Sequence, residues 1–216
     1  MIRPSLSRST LLRFYDPFSR LFGAREAHWQ LVAQAGIEPG STVLDLGTGT
    51  GNVLRLAAEA APDATLIGID PDPQALLLAR RKLPGVRIEQ AAASAIPCAD
   101  GSVDRVLCAF VFHHIADDER AAALAEVRRV LAPGGRLHLI DFDGLPNPNA
   151  LVAGVNIALG MLERGEGHAH DRDFAHSDRD TVLAHLEQAG FTAELSGRGR
   201  SGMGDYLLYR AVPTEP

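Results

Sequence analysis

Three glycines at alternate positions, Gly47, Gly49 and Gly51, stand in the stretch VLDLGTGTGN (Val43–Asn52), straight after an apolar run that carries Asp45. Bare backbone at such a junction lets a compact ligand approach more closely than any side chain allows. A dinucleotide site needs the spacing GxGxxG, because its third glycine packs helix against strand at a pyrophosphate. Here Asn52 occupies that position and the loop reads GxGxG. A second acid follows at the end of another apolar run, Leu66-Ile67-Gly68-Ile69-Asp70. A carboxylate there can accept both hydroxyl hydrogens of a ribose, which suits adenosine without a 2′-phosphate.

A second constellation lies further on. His113 and His114 follow the run Val103 to Phe110, and Asp141 ends the run Arg136 to Phe142. Neighbouring strands lie about 4.8 Å apart, so two strand ends can bring a carboxylate to an imidazole, the arrangement of a base and its orienting group. The competing reading has both histidines packing on a neighbouring helix while Asp141 fixes a turn. His168, His170, Asp171, Asp173 and His176 are of metal-ligating types, but their dense spacing reads as a solvated loop and no metal site is expected. Cys98 and Cys108 are the only cysteines, in no ligand spacing, which fits a reducing cytosol without disulfides.

The elements that must position these residues alternate. Helix is expected over Arg25 to Ala35, Val53 to Ala61, Pro73 to Lys82, Asp117 to Leu131 and Asp178 to Ala189. Strand is expected over Thr42 to Leu46, Thr65 to Ile69, Val86 to Gln90, Val103 to Phe110 and Arg136 to Phe142, the last set off by a Pro133-Gly134-Gly135 turn. Phe191 to Leu195 and Tyr206 to Ala211 read as a terminal antiparallel hairpin joined by a glycine-rich turn. Strands separated by helices require crossovers, so the sheet is parallel with helices on both faces, and ligands of such sheets bind at the carboxyl ends of the strands.

The 216 residues are 46% hydrophobic and carry a formal net charge of −6, which suits one α/β domain acting on a small molecule and disfavours nucleic acid. No run is long and apolar enough to span a membrane. In residues 1–36, five arginines face Asp16 before the first glutamate, which raises a transit peptide as one reading. The other is a helical lid, since Leu11, Tyr15, Phe18 and Phe22 recur at helical spacing. Residues 143–177 lack regular periodicity beyond the apolar segment Ala150 to Leu162 and read as a pocket-covering insert.

DLGTGTGN, GIDPD, IPCADGSVDRV, FVFHHI and LAPGGRLHLIDF, in this order, resemble the class I S-adenosylmethionine-dependent methyltransferases. The likeness is to the small-molecule branch (methyltransferase type 11) that includes quinone C-methyltransferases, and it covers about Phe14 to Phe142 with the hairpin more loosely. It implies a Rossmann-like, doubly wound α/β sheet of seven strands, mostly parallel with a C-terminal antiparallel hairpin. It implies S-adenosyl-L-methionine as cofactor, with S-adenosyl-L-homocysteine as product, and cofactor contacts from Gly47, Thr48, Gly49, Thr50, Gly51, Asp70, Pro71, Ala93 and Ala109. Asp45 would orient the loop or meet the amino group through water, and Ile96 would pack on the adenine. At Ala92 the family usually has Asp or Asn for the adenine amino group, so that contact is lost to the side chain. O-methylating relatives imply His114 and Asp141 as a catalytic pair, with His113 beside them, and Tyr15 resembles a lid residue over the methionine carboxylate. The expected reaction is O- or C-methylation of a small, partly apolar acceptor, in the cytoplasm, with a homodimer compatible. A non-catalytic S-adenosylmethionine-binding or regulatory protein is the alternative, ahead of an NAD-type oxidoreductase.

Overall fold

Strand residues of this chain alternate between two apolar layers, and that alternation places every helix. Leu44, Leu46, Ile67, Ile69, Val106, Cys108, Leu137 and Leu139 share one core cluster, whereas Val43, Leu66, Leu107 and Ile140 belong to another on the opposite face. A computed structural model gives the architecture, in which residues 23–144, 179–202 and 204–214 are described. Tyr15, the lid segment before Gly23, Ala150 to Leu162 and the histidines of the insert fall outside them.

The elements run α1 (Ala24–Ala35), β1 (Thr42–Leu46), α2 (Asn52–Ala60), β2 (Thr65–Asp70), α3 (Pro73–Lys82), β3 (Arg87–Gln90) and β4 (Val103–Ala109). A single 3-10 turn (Phe112–His114) leads to α4 (Asp117–Val130), β5 (Leu131–Phe142), α5 (Arg179–Gln188), β6 (Phe191–Ser201) and β7 (Gly204–Pro213). Helices α4 and α5 cover the first layer through Leu124, Val127, Val182 and Leu186; α1, α2 and α3 cover the second through Leu31, Leu54 and Leu76. The seven strands form one sheet in the order β3-β2-β1-β4-β5-β7-β6. β7 alone runs against its neighbours, pairing antiparallel with both β5 and β6. The strand order reverses between β1 and β4, and the crevice at their carboxyl ends is where such a sheet binds ligands.

Most expected boundaries lie within two residues of the observed ones, but two differ for physical reasons. The glycine-rich stretch expected to be a turn is strand: Gly197 pairs with Leu208 and Gly199 with Tyr206. A Cβ on Gly199 would stand 2.3 Å from the Tyr206 ring, so glycine there makes room for the aromatic side chain of the partner strand. The hairpin is correspondingly longer than the periodicity suggested. β5 starts at Leu131, with the Pro133-Gly134-Gly135 turn absorbed as an irregularity in its pairing with β4.

His138, in the middle of β5, is 1% exposed, and neither ring nitrogen has a hydrogen-bond partner among the described residues. Burial first, and then the charges of Arg105, Arg136 and Arg210, push it down from 6.5 to about 4. The unfolded chain therefore binds a proton that the folded chain refuses, and stability is lost as the pH falls from 6.5 towards 4. Between pH 7 and pH 5 this residue removes about 2 kcal/mol. We expect His138→Leu to flatten the acid limb by about that amount in urea denaturation at the two pH values, whereas an unchanged limb would assign it to other groups.

Candidate cofactor and catalytic site

The glycine loop between β1 and α2 is lashed to the end of β2. The N–H groups of Gly47 and Thr48 both donate to the Ile69 carbonyl, at 2.9 and 2.8 Å, and the Gly49 N–H donates to Asp70 Oδ2 at 2.9 Å. Gly47, Gly49 and Gly51 all have positive φ, at 73°, 53° and 80°. Their surroundings differ. A Cβ on Gly47 would lie 2.4 Å from the Val111 side chain, and one on Gly51 would press on Ala79 of α3 and on Leu83 just beyond it, both at 3.2 Å. Above Gly49 nothing lies within 4 Å, so the middle of the loop presents open backbone at the strand ends. Asn52 does not act as a packing residue: its side-chain oxygen accepts from Lys82 of α3 at 2.8 Å.

Two carboxylates flank that opening. Asp70 is half-buried, and its second oxygen accepts the Asp72 N–H at 2.8 Å while Asp72 caps α3 through the Gln74 N–H. Each Asp70 oxygen keeps a further lone pair. Desolvation raises its pKa against the two backbone bonds that lower it. Asp45 is 1% exposed and accepts the Thr48 hydroxyl at 2.7 Å. Burial, with a smaller contribution from Asp70, lifts it to about 7 against the Thr48 and Leu54 hydrogen bonds. Open backbone, a ribose-ready acid and a buried acid that a nearby ammonium would ionise suit an adenosyl amino acid. Phosphates would meet two carboxylates here, so the same set disfavours a pyrophosphate.

Ala92 and Ala93 lie on the turn that follows β3, closed by the Ala95 N–H to the Ala92 carbonyl at 3.1 Å. Ala92 is exposed and Ala93 half-buried. Ile96, expected over the adenine, is 3% exposed within the core layer under α4. Arg129 of α4 clamps this segment by donating to the Ile96 and Cys98 carbonyls, both at 2.9 Å. Pro71 accepts from Gln90 at 3.0 Å. Asp104, expected to be structural, accepts the Thr42 N–H at 2.8 Å.

At the ends of β4 and β5 the histidines separate. Asp141 is fully buried and takes His113, not His114: its Oδ2 accepts the His113 N–H at 2.9 Å, and its Oδ1 meets His113 Nδ1 at 2.5 Å and the Phe142 N–H at 2.9 Å. His114 is exposed, its ring 3.9 Å from that of His113. The expected His114–Asp141 pairing is thus replaced by His113–Asp141, because the 3-10 turn folds the first histidine back over β5. Phe110, next to Ala109 at the end of β4, makes the bend with φ of 55°, the one positive φ outside glycine among the described residues. Its N–H donates to Ile140 at 2.8 Å and its ring stacks on Phe142 at 4.7 Å. No group of three or more metal-ligating side chains occurs among the described residues.

Residues 43–135 match the family described as a methyltransferase domain. The demethylmenaquinone methyltransferase of Thermus thermophilus is 42% identical over 61% of this chain, which spans 62% of that protein's length. The ubiquinone/menaquinone biosynthesis C-methyltransferase of Syntrophotalea carbinolica is 32% identical over 82% of this chain and 81% of its own. A solved methyltransferase from Aquifex aeolicus superposes with a TM-score of 0.68, at 22% identity, over 95% of this chain and 99% of that one.

The glycine surroundings predict unequal costs. Gly47→Ala combines left-handed strain with a clash and should cost about 2–4 kcal/mol, while Gly49→Ala carries strain alone, about 1–2 kcal/mol. Urea denaturation of the two variants checks the order.

Proposed function

The chain belongs to the class I S-adenosylmethionine-dependent methyltransferases, and from that premise we propose that it methylates a small, partly apolar acceptor at oxygen or carbon. The observation that carries the reading is the Asp70 clamp: one carboxylate holds the open Gly49 backbone and keeps lone pairs for a ribose. The reversed β7 supports it against an oxidoreductase, since the dinucleotide fold is a sheet ordered 3-2-1-4-5-6.

When bound, S-adenosylmethionine would supply a sulfonium methyl group for transfer to the acceptor. Asp70 would accept the ribose hydroxyls, and the backbone of Gly47 to Gly51 would hold the amino acid part. Asp45, pushed up to about 7 by burial, would pair with the ammonium as a carboxylate. With the side chain of Ala92 unable to accept, the backbone of Ala93 would hold the adenine. His113, held by Asp141 at both its main-chain N–H and its ring Nδ1, is the side chain placed to act as a base towards an acceptor hydroxyl or acidic carbon. Demethylmenaquinol is the first acceptor to test, given the names of the relatives. Cys98 and Cys108 are free and buried, which supports a cytosolic site of action, and no described helix is long and apolar enough to cross a membrane.

Titration calorimetry should show S-adenosylhomocysteine binding that weakens at least about ten-fold in Asp70→Ala, two charge-assisted hydrogen bonds being lost; unchanged affinity would remove Asp70 from the site. Formation of S-adenosylhomocysteine from S-adenosylmethionine with demethylmenaquinol as methyl acceptor tests the activity, and binding without turnover across an acceptor panel would favour a binding protein. With a working acceptor, His113→Ala should lower kcat about 10²–10⁴-fold, while His114→Ala should retain the activity.

A further inference from the structure

Residues 91–102, between β3 and β4, carry neither helix nor strand, so their main chain must be held by other means. Three successive carbonyls of this stretch are taken by guanidinium groups. Arg129 of α4 donates from Nη2 to Ile96 and from Nη1 to Cys98, both at 2.9 Å, and Arg87 of β3 donates to Pro97 at 2.5 Å. The Ile96 N–H donates in turn to Glu126 Oε2 at 2.9 Å.

Arg129 and Glu126 lie three residues apart on α4 and act as a unit. Nε and Nη2 meet the two Glu126 oxygens at 2.7 and 2.8 Å, and Nη1 meets Asp100 at 2.6 Å. Bidentate pairing fixes the plane of the guanidinium, and that plane aims the remaining N–H bonds at two carbonyls two residues apart. The guanidinium also holds the Glu126 carboxyl below the usual carboxylate range, so the pair stays ionised at any working pH. Both side chains keep some exposure, 32% for Arg129 and 23% for Glu126, and ion pairs so placed contribute little to global stability. Their grip is local.

What they grip is the far stem of the turn at residues 92–95. Its near stem is tied by the Ala91 N–H, which donates to the Asp70 carbonyl at 3.2 Å. The turn is thus suspended between the acid assigned to the ribose and the Arg129–Glu126 pair. A side chain that reads a base can adjust its rotamer, but alanine at position 92 has none to adjust. Recognition by main chain alone depends on where the supporting residues hold that main chain. We infer that Arg129 and Glu126 are positioning residues for the adenine: by fixing Ile96 and Cys98 they set the turn so that the Ala93 main chain meets the base. The inference rests on the S-adenosylmethionine reading and adds to it the source of base specificity.

The test is titration calorimetry of the full chain with S-adenosylhomocysteine and with S-inosylhomocysteine, in which hypoxanthine carries a proton on a ring nitrogen where adenine accepts. The unsubstituted chain should bind the adenine compound about ten-fold or more tightly, because the other leaves a donor facing a donor. Arg129→Ala should weaken S-adenosylhomocysteine about ten-fold and leave S-inosylhomocysteine nearly as it was, so that the preference disappears while Tm holds. Arg129→Lys should lose most of the preference too, since an ammonium does not span both carbonyls. Equal weakening of the two ligands makes the pair structural, and an unchanged preference removes it from the site; either result overturns the inference. If Arg129→Ala does not fold, Arg129→Lys decides by the same comparison, and failure of both to fold makes Arg129 a folding residue and overturns it as well. Binding of both ligands by the unsubstituted chain without preference defeats the positioning role alone, whereas binding of neither defeats the S-adenosylmethionine reading itself.

Discussion

The site depends on the attachment of the glycine loop to the end of β2. Two backbone N–H groups converge on the Ile69 carbonyl and a third on the Asp70 carboxylate. These bonds fix three residues in left-handed or tightly turned geometry that the chain between β1 and α2 would not hold alone. They also fix what lies on either side: Val111 of the next strand end fills the space a Gly47 side chain would take, and Ala79 of α3 comes within 3.2 Å of where a Gly51 Cβ would stand. One loop therefore sets the relation of β1, β2, α3 and the end of β4, the four pieces that bound the crevice. Asp70 takes part both as a fastener and as the acid facing that crevice, which explains a half-buried carboxylate held against its desolvation.

Much of this was legible in the sequence because it is local. Alternating glycines, an acid closing an apolar run and a Pro-Gly-Gly turn each act within a few residues, so type and spacing carry the information. That the sheet is mostly parallel and ends in an antiparallel hairpin followed from the alternation of strands with helices and from the likeness of motifs. What sequence did not reveal was long-range. Gly197 and Gly199 look like turn residues, and only the Tyr206 ring across the hairpin makes them strand. Arg120 stands in the acid-rich first turn of α4, yet it is 1% exposed with its guanidinium over the Phe112 ring, a contact that local spacing does not announce. The composition of a single segment holds no trace of either partner.

The histidine pair shows the same limit at finer grain. His113 and His114 are adjacent, and choosing between them requires the direction of one short turn. That direction is set by Phe110, whose backbone is held in a strained conformation by the Ile140 carbonyl and by packing on Phe142. Strain of this kind persists where surrounding structure over-determines it. It turns the chain so that both the main chain and the ring of His113 reach Asp141. The nearest sequence sign is the aromatic at the strand end, and it gives no indication of the sign of φ.

The position of β7 has a consequence for biosynthesis. This strand is the last to leave the ribosome among the described elements, yet it lies between β5 and β6, in the interior of the sheet. Until it is synthesised, β5 is an open edge, and the nascent chain offers the backbone groups that flank Asp141 to any strand in reach. β6 emerges earlier but has no neighbour to join. The half of the sheet that carries the glycine loop can assemble during translation, whereas the half that carries Asp141 waits for β7 and then closes in one insertion.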